Sequence, residues 1–412
     1  MSTADLDRML HPEEAREIVL RFAKPLSPEL APLEEAGDRV LAQALVAHVD
    51  LPPFRASTMD GYAVVHSDSM KSRQVLGSGF AGTESGLVVQ PGTVTKIMTG
   101  APVPDGATAV VMVENTRSDG SGVAILQQHV VEGENIRPVG ADMRAGDELV
   151  AAGSILGPAE IGLLASLGHD AVLVGRRPKV AIMSTGDELV APGEKPGPGQ
   201  IRDSNRFSLA VAVRRAGAEV VLNRHVLDTE RELRKAFTQA LGAADVIVTS
   251  GGVSMGDRDL VKGLLGELAE VRFRRVFMKP GKPLNFATIG DQLLFGLPGN
   301  PVSCLVSFQM FVRPALLVMQ SAPAEILPTV DVEISHDISS TDRIEFQRAV
   351  VWTGADGRLM ARNTGSQMSA RLASFIGSNA FLIVHPSETT FRQGARLSAL
   401  MVSPPYGNEP AN

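Results

Sequence analysis

The sequence predicts a multidomain α/β protein. A doubly wound sheet domain is expected at its centre, with a helical linker region, an inserted β domain and a C-terminal β-barrel around it. Three observations support this prediction. At 412 residues the chain is too long for one ordinary domain. Its central part alternates apolar strands with amphipathic helices, which is typical of a sheet covered on both faces. Short strand-like runs between turn residues precede and follow that part.

Composition and charge exclude several classes of protein. A net charge of −7 argues against broad nucleic-acid binding, so any anion site must use a few local Lys and Arg residues. The single Cys304 excludes an internal disulfide framework and a cysteine metal cluster, and we expect it to be buried and unreactive. No signal-peptide pattern is apparent. Polar residues and Pro314 interrupt the apolar run at 305–318, so we expect a core helix, no membrane span and a cytoplasmic protein.

The helical linker region is expected at residues 1–50 and 141–177. Pro12 suits the first helical position, and Glu13 and Glu14 suit the first turn of a helix over residues 12–24. A second helix is expected over residues 33–47. Helical character returns at residues 158–167. Asp142, just after the predicted β segment, is by itself most simply a solvated loop acid.

The inserted β domain is expected at residues 51–140. Strands are predicted at residues 92–99, 109–113 and 122–127, between turn signals. Two loops stand out: Asp60 precedes Gly61, and Thr99 opens a proline-rich loop. Ordinary turn chemistry is the alternative explanation for both, because Asp-Gly is a common turn pair.

The doubly wound sheet domain is expected at residues 178–326 and the β-barrel at residues 327–412. Central strands are predicted at 179–183, 219–226 and 243–248, and helices at 205–216, 229–241 and 260–268. Thr229 and Glu232 suggest a capping box. Barrel strands are predicted at 329–334, 344–352, 358–361, 380–384 and 396–401.

The loops after the central strands carry most of the unusual residues. Their charged or special members are Asp187, Glu188, Asp228, Asp257, Asp259, Lys279, Lys282 and Pro301. Because parallel strands end at one edge of a sheet, we expect these loops to converge. Carboxylates suit Mg²⁺, whereas lysines and helix starts suit phosphate or another oxyanion. The alternative is that the acids cap helices and the lysines are solvated.

The third of these loops, TSGGVSMGDRD at residues 249–259, predicts an anion-binding corner. Gly251 and Gly252 let the backbone approach a ligand closely. In the barrel, Arg343, Arg348 and the loop at residues 363–369 have the chemistry to donate to an anion. A plain surface role is the alternative for them.

These motifs together resemble the MoeA-type molybdopterin molybdenumtransferases, the insertases of molybdenum-cofactor synthesis. The matching stretches occur in family order over nearly the whole chain: STMDGYAV, KIMTGAPVPDGA, STGDELV, GQIRDSNR, TSGGVSMGDRD, KPGKPL and GLPGNPVS. The resemblance implies four domains, with a MogA-like sheet domain at residues 178–326. It also implies an elongated homodimer, whose active cleft lies between the sheet domain of one subunit and the β domain of the other.

The resemblance implies an enzyme that binds adenylylated molybdopterin and molybdate. Such an enzyme uses Mg²⁺ to cleave the bond to AMP and places molybdenum on the dithiolene sulfurs. Its expected partners are the molybdopterin adenylyltransferase and apo-molybdoenzymes. Two alternatives are a nucleotide-pyrophosphate hydrolase or adenylyltransferase with the same sheet, and a non-catalytic scaffold. The choice between molybdate and tungstate is left open.

The resemblance also assigns site residues. Those implied to be catalytic are Asp60, Thr99, Asp142, Glu188, Asp228, Asp259, Lys279 and Lys282. Those implied to bind substrate are Gly251, Gly252, Ser254, Pro298, Pro301, Ser303, Arg348 and Ser369. Asp228 and Asp259 are the implied Mg²⁺ ligands. Met368 and Ala370 stand where the family often has glycine.

Overall fold

The computed structural model describes residues 6, 8–80, 82, 86–118, 122–251, 269–324 and 327–410. The chain forms two compact units. The first contains residues 1–42, 153–156 and 171–412, and the second contains residues 43–152 and 157–170.

Between residues 8 and 47 the described chain has one helix where the sequence predicts two. Helix α1 (Pro12–Phe22) follows strand β1 (Met9–Leu10), and the His11 ring accepts the Glu13 N–H at 3.4 Å. The predicted helix at 33–47 is wrong, because only residues 33–35 form a 3₁₀ turn after strand β2 (Glu29–Pro32). Val40 and Leu41 instead form bridges with residues 155 and 174. Pairing with distant backbone therefore overrides local helix propensity.

The described strands of the second unit are β3 (Leu45–Val46), β4 (Ala56–Ser57), β5 (Gly61–Val64), β6 (Ser72–Gly79), β7 (Thr93–Ile97), β8 (Ala109–Met112), β9 (Thr116–Ser118), β10 (Val123–Leu126), β11 (Ile136–Arg137) and β12 (Glu148–Val150), and its described helix is α2 (Pro158–Ser166). Six of these strands form the main sheet of the unit, in the order β8-β5-β7-β6-β10-β9. Tyr62 and Val64 of β5 pack in one apolar cluster, and Ala63 packs in another. The sheet is therefore covered on both faces. The predicted strands at 92–99, 109–113 and 122–127, and the helix at 158–167, are confirmed.

Gly61 is not the turn glycine that an Asp-Gly pair suggests. It is the first residue of β5, and its φ lies outside the left-handed region. A Cβ added at Gly61 would collide with the carbonyl oxygen of Val111 in the paired strand β8. The position needs glycine because two strands approach closely there.

After the second unit, the chain forms the strands β13 (Ala171–Val174), β14 (Lys179–Thr185), β15 (Leu189–Val190), β16 (Ile201–Arg202), β17 (Glu219–Val226), β18 (Val246–Ser250), β19 (Glu270–Val276), β20 (Met278–Lys279), β21 (Pro283–Ile289) and β22 (Gln292–Leu297). The larger sheet of the first unit has strand order β1-β19-β21-β22-β18-β14-β17. The described helices of this part of the chain are α3 (Asn205–Arg215), α4 (Glu230–Ala243), α5 (Pro301–Ser307) and α6 (Arg313–Met319), and a π-helical turn (Phe308–Val312) joins the last two.

Alternate residues of β14 show why this sheet is doubly wound. Val180 and Ile182 belong to a core with α3, α5 and α6, whereas Ala181 and Met183 pack with α4. The predicted strand at 243–248 is displaced: α4 continues to Ala243, and β18 begins only at Val246. Half of the predicted capping box at α4 is present: the Thr229 hydroxyl accepts the Glu232 N–H at 3.4 Å, whereas the Thr229 N–H donates to the Leu227 carbonyl oxygen at 2.7 Å.

The C-terminal strands close into a barrel, as predicted. They are β23 (Thr329–Ile334), β24 (Ile344–Thr353), β25 (Leu359–Asn363), β26 (Ala380–Val384) and β27 (Arg396–Met401). The order is β24-β25-β23-β27-β26, and pairing of β26 with β24 completes the ring. Strand β20 joins the barrel by pairing in parallel with β24. The barrel and the larger sheet share a core, because Phe346 and Phe381 pack in the same apolar cluster as Val180.

One helical segment among the described residues is long and apolar enough to cross a membrane. It spans Pro301–Met319, and 72% of its most apolar window is buried within the protein. Phe308, Phe311 and Leu316 of this segment belong to the core of the first unit. The segment is thus packed as the predicted core helix.

Candidate active site

Five loops open on the carboxyl edge of the larger sheet. Strands β17, β14, β18 and β22 are parallel neighbours. Strand β19 has the same direction, because β21 is antiparallel to both β22 and β19. The loops that follow these strands begin at residues 186, 227, 251, 277 and 298. The strand order therefore brings the loops singled out from the sequence to one edge.

Gly251 forms the described part of the glycine-rich corner. Its φ is 91°, and an added Cβ would lie 2.5 Å from the Thr185 carbonyl oxygen. Its N–H donates to the Leu297 carbonyl oxygen at 3.2 Å. A side chain at this position would therefore disturb two neighbouring strand ends. The other predicted features of this corner, Gly252, Ser254, Asp257, Asp259 and the helix at 260–268, lie outside the described residues.

Asn205 links the end of β18 to the loop that follows β22, although the sequence motifs by themselves assign it no role. Its Nδ2 donates to Ser250 Oγ and to the Gly299 carbonyl oxygen, both at 2.7 Å. The residue is only 8% exposed, and its Oδ1 has no hydrogen-bond partner among the described residues. The only signal in the sequence was its place in GQIRDSNR, one of the motifs that carry the resemblance. Asn205 therefore ties the last residue of β18 to the loop after β22.

A buried polar network supports the start of α3, where Asn205 lies. Ser184 Oγ donates to Asp203 Oδ2 at 2.5 Å, and Arg206 Nε donates to the same oxygen at 3.0 Å. Asp203 is buried, so these two donors compensate the loss of water around its carboxylate. The network ties the end of β14 to α3.

The first two loops form an acidic cluster. The Asp228 N–H donates to Asp187 Oδ1 at 3.2 Å, and His225 Nε2 lies 2.9 Å from the Gly186 carbonyl oxygen. Partial burial, followed by the charges of Asp187 and Glu188, raises the pKa of Asp228. Within the described ranges, no three His, Cys, Asp or Glu side chains are grouped to hold a metal. The cluster nevertheless concentrates negative charge that a cation would offset.

A cationic cavity of about 620 Å³ lies beside this edge, where the Lys279 loop meets the barrel. It is lined by residues 279–283, Pro298, Asn300, Ser303, Arg343 and residues 366–370. Lys279, Lys282 and Arg343 give its described wall three positive charges and no carboxylate. The hydroxyls of Ser303 and Ser369 add neutral donors. This composition suits a small oxyanion.

Some of the predicted substrate-binding residues line this cavity and others do not. Pro298, Ser303 and Ser369 line it, whereas Pro301 occupies the first position of α5 and does not. Met368 and Ala370 also line it. Of the described residues at 363–370, only Gly365 has a positive φ, at 79°, so neither Met368 nor Ala370 needs to be glycine.

Arg348 does not line the cavity, contrary to the expected direct contact with an oxyanion. It is fully buried, its Nε donates to Ser374 Oγ at 3.0 Å, and its Nη2 donates to the Met368 carbonyl oxygen at 3.4 Å. Burial lowers its pKa to about 10, although the charge of Glu345 acts in the opposite direction. The arginine therefore stays charged at neutral pH and holds the loop that carries Ser369.

In the second unit, two predicted site residues are in direct contact. Asp60 Oδ1 accepts hydrogen bonds from the Thr99 N–H at 2.7 Å and from the Thr99 hydroxyl at 2.8 Å. The third predicted residue of this unit, Asp142, forms an ion pair with Arg137, with both side chains partly exposed. Asp142 is therefore an exposed loop acid, as expected, and it also pairs with Arg137.

Cys304 is buried and unreactive, as predicted. Its side chain is fully buried in the core below α5, and burial raises the pKa of its thiol to about 12. The thiol is therefore protonated at neutral pH and is a poor nucleophile.

Comparison with known proteins gives this site its family context. Three family models match the chain: MoeA N-terminal region (domain I and II) at residues 10–168, probable molybdopterin binding domain at residues 181–318, and MoeA C-terminal region (domain IV) at residues 333–401. A molybdopterin molybdenumtransferase of Haemophilus influenzae is 34% identical over 384 residues, which cover 91% of this chain and 94% of that protein.

Two further relatives belong to the same family. Molybdopterin molybdenumtransferase 2 of Mycobacterium tuberculosis is 38% identical over 353 residues, which cover 82% of this chain and 87% of that protein. The crystal structure of a molybdopterin biosynthesis MoeA protein from Pyrococcus horikosii matches with a TM-score of 0.83 at 30% identity. The match covers 96% of this chain and 100% of that chain.

Fold, site and relatives together define an enzyme of molybdenum-cofactor biosynthesis. The chain belongs to the MoeA family of molybdopterin molybdenumtransferases. The multidomain α/β fold class predicted from the sequence is thereby confirmed.

Proposed function

We propose that this protein transfers molybdenum from molybdate to the dithiolene of adenylylated molybdopterin and releases AMP. Family membership supports molybdopterin and molybdate as the substrates. The observation that carries the proposal is the cavity with Lys279, Lys282 and Arg343 on its wall, since a dianion such as molybdate requires local positive charge in an acidic chain.

The proposed reaction balances as two linked steps. Cleavage of the pyrophosphate bond consumes one water and yields AMP and molybdopterin with a terminal phosphate. When the two dithiolene sulfurs bind molybdenum, their two protons leave with one molybdate oxygen as water. Holding both substrates in one site makes the second step effectively intramolecular.

Each part of the site has a proposed task. The wall that receives molybdate consists of Lys279, Lys282, Pro298, Ser303 and Ser369. The common position of these residues at the cavity supports this assignment. Gly251 with Gly252 and Ser254 would bind the phosphate of molybdopterin, for which the left-handed φ of Gly251 is suitable. Pro301 opens the helix beside the cavity, and Arg348 positions the loop of Ser369.

We also propose Mg²⁺ as the metal of this site, with Asp228 and Asp259 as its ligands. The acidic cluster supports this, because partial burial and then the charges of Asp187 and Glu188 raise the pKa of Asp228. The neighbouring carboxylates leave negative charge that a cation would offset. Carboxylate oxygens are suitable Mg²⁺ ligands. When bound, Mg²⁺ would reduce the charge on the pyrophosphate, while Glu188 stays as a further acid of the site.

The wider organisation rests on the family resemblance. We propose a homodimer in which Asp60 and Thr99 of one subunit, with Asp142 as a further acid, complete the site of the other. The proposed domains are residues 1–50 with 141–177, residues 51–140, residues 178–326 and residues 327–412. We place the protein in the cytoplasm, between the molybdopterin adenylyltransferase that supplies its substrate and the apo-molybdoenzymes that receive its product.

Incubation of the purified protein with adenylylated molybdopterin, Mg²⁺ and molybdate tests the proposal. AMP release and activation of an apo-molybdoenzyme are followed in the same samples, with and without molybdate. We expect both products only when molybdate is present. AMP without active cofactor would identify a hydrolase, and substrate binding with neither product would identify a scaffold.

A further inference from the structure

We infer that His225 is a positioning residue of the active site: its ring holds the turn that carries Asp187 and Glu188 beside Asp228. This inference deepens the proposed function and rests on it, because Glu188 and Asp228 are proposed acids of the site. The family resemblance gives His225 no role. Three observations carry the inference: the position of the ring, the carbonyl group that it contacts and the place of the acids around that carbonyl.

The register of two parallel strands determines the position of His225. Strand β14 pairs with β17 so that Ser184 lies opposite His225. The next residue, Val226, packs in the apolar cluster of α4, so the His225 side chain projects from the other face of the sheet. The ring is partly buried, and its Nε2 lies 2.9 Å from the Gly186 carbonyl oxygen. A side chain near the end of β17 thus contacts the first residue of the loop after β14.

The contact between His225 and Gly186 is a hydrogen bond in which the ring donates. A carbonyl oxygen only accepts, so the Nε2 atom of His225 carries the hydrogen. The neutral Nε2–H tautomer and the imidazolium both provide it, so the bond does not depend on the charge of the ring. The same carbonyl oxygen accepts the Leu189 N–H at 3.2 Å, which closes the turn at residues 186–189. The orientation of the Gly186 peptide is therefore fixed by Leu189 from within the turn and by His225 from the next strand.

The acids of the cluster lie around the Gly186 peptide. The φ of Gly186 is 141°, and a Cβ added there would collide with the Glu188 carboxylate, so this carboxylate lies directly over Gly186. Asp187 follows Gly186 in the chain, and its Oδ1 accepts the Asp228 N–H at 3.2 Å. Like charges repel, so the cluster needs such fixed contacts to stay compact. We expect loss of the His225 ring to loosen the turn and to move the Asp187 and Glu188 carboxylates away from Asp228.

Variants of different side-chain length separate a positioning role from a general effect of replacement. His225→Gln keeps an N–H donor near the place of the imidazole Nε2, whereas His225→Asn carries its donor closer to the backbone and His225→Leu has none. Only His225→Gln should therefore replace the bond to Gly186. His385→Leu is the matched control, because His385 is exposed just after β26 in the barrel.

Hydrogen–deuterium exchange of the full-length protein without ligands tests the contact itself. We expect the Leu189 N–H to exchange about fivefold faster in His225→Leu and His225→Asn. The rate should stay close to that of the wild type in His225→Gln and His385→Leu.

The kinetics of AMP release from adenylylated molybdopterin, with Mg²⁺ and molybdate present, test the consequence for the site. We expect kcat to fall about tenfold in His225→Leu and to recover in His225→Gln. The KM for adenylylated molybdopterin should be unchanged, because its phosphate is proposed to bind at Gly251 and not at this turn.

The two measurements distinguish failure of the inference from failure of the proposed function. Unchanged exchange of the Leu189 N–H in His225→Leu would overturn the inference, and so would a wild-type kcat in that variant. No AMP release by the wild type would reject the proposed function, while exchange would still decide whether His225 holds the turn. Should His225→Leu fail to fold, the other two variants decide: slower exchange and a higher kcat in His225→Gln than in His225→Asn support the inference, and equal values contradict it.

Discussion

The Asp60 carboxylate accepts two hydrogen bonds from Thr99, one from its backbone N–H at 2.7 Å and one from its hydroxyl at 2.8 Å. They join two loops that are 39 residues apart in the chain and that the sequence marks as unusual only separately. The backbone bond, followed by the side-chain bond, lowers the pKa of Asp60. Asp60 is therefore an ionised surface carboxylate with a fixed orientation.

Replacement of Thr99 by valine should raise the pKa of Asp60 towards its ordinary value. Thr99→Val removes the hydroxyl donor but keeps the side-chain shape and the backbone N–H, so part of the shift should remain. The measurement is an NMR titration of the Asp60 carboxyl carbon. Thr116→Val is the control, because the Thr116 hydroxyl donates to the Val113 carbonyl oxygen in the same unit. An unchanged pKa of Asp60 in Thr99→Val would contradict the role of the hydroxyl.

The sign of the accompanying pH dependence follows from the lowered pKa. Ionised Asp60 stabilises the folded state above its unfolded pKa, and this contribution is lost as the pH falls through the folded pKa. Thr99→Val should thus be less stable than the wild type at neutral pH, and the difference should diminish in acid. Urea unfolding at both pH values measures it, and a larger difference in acid would contradict the assignment.

Asn205→Ala should destabilise the first unit and impair catalysis together. The variant loses both 2.7 Å hydrogen bonds, to Ser250 and to Gly299, at a buried position. We expect the free energy of unfolding to fall by about 2 kcal/mol, measured in urea. The exposed Asn408→Ala is the control and should be close to neutral. A loss below about 0.5 kcal/mol would show that the two loops do not depend on this link.

Gly251→Ala should abolish AMP release even where the protein still folds. Alanine is strained at a φ of 91°, and its Cβ would lie 2.5 Å from the Thr185 carbonyl oxygen. Gly37→Ala is the matched control, because no atom lies within 4 Å of an added Cβ and its φ is not left-handed. Wild-type activity in Gly251→Ala would remove this corner from the active site.

Asp228→Asn should lose most of the stabilisation that the wild type gains from Mg²⁺. The carboxamide relieves repulsion from Asp187 and Glu188, so without Mg²⁺ the variant should unfold at the same temperature as the wild type or slightly above it. With millimolar Mg²⁺ only the wild type should gain in Tm. Asp291→Asn, at a site that is 93% exposed, should respond like the wild type. An equal Mg²⁺ response in Asp228→Asn would reject Asp228 as a ligand.

Much of the fold could be predicted because its strands have clear periodicity and turn signals. Strands 219–226, 329–334, 380–384 and 396–401 occur at the predicted residues. The helix predicted at 33–47 is wrong because bridges from Val40 and Leu41 to distant residues determine the conformation of this segment. The start of β18 was misplaced because Ala243 and Ala244 are compatible with either a helix end or a strand start.

The site could be predicted only where strand order alone brings residues together. The five loops meet because their strands run in one direction, which the alternating pattern implied. The contacts of Asn205 depend on the Ser250 and Gly299 atoms, and the exposure of Arg343 depends on the register of β20 with β24. Neither of these relationships has a local signature. The sequence likewise has no signal that Arg348 is fully buried and does not line the cavity.

The central claim is that AMP release and molybdenum insertion occur in one coupled reaction. The most direct test is to measure, in the same wild-type reaction, the moles of AMP released and the moles of molybdenum bound to molybdopterin. We predict one AMP for each molybdenum inserted, and almost no AMP when molybdate is omitted. AMP release at an undiminished rate without molybdate would contradict the claim.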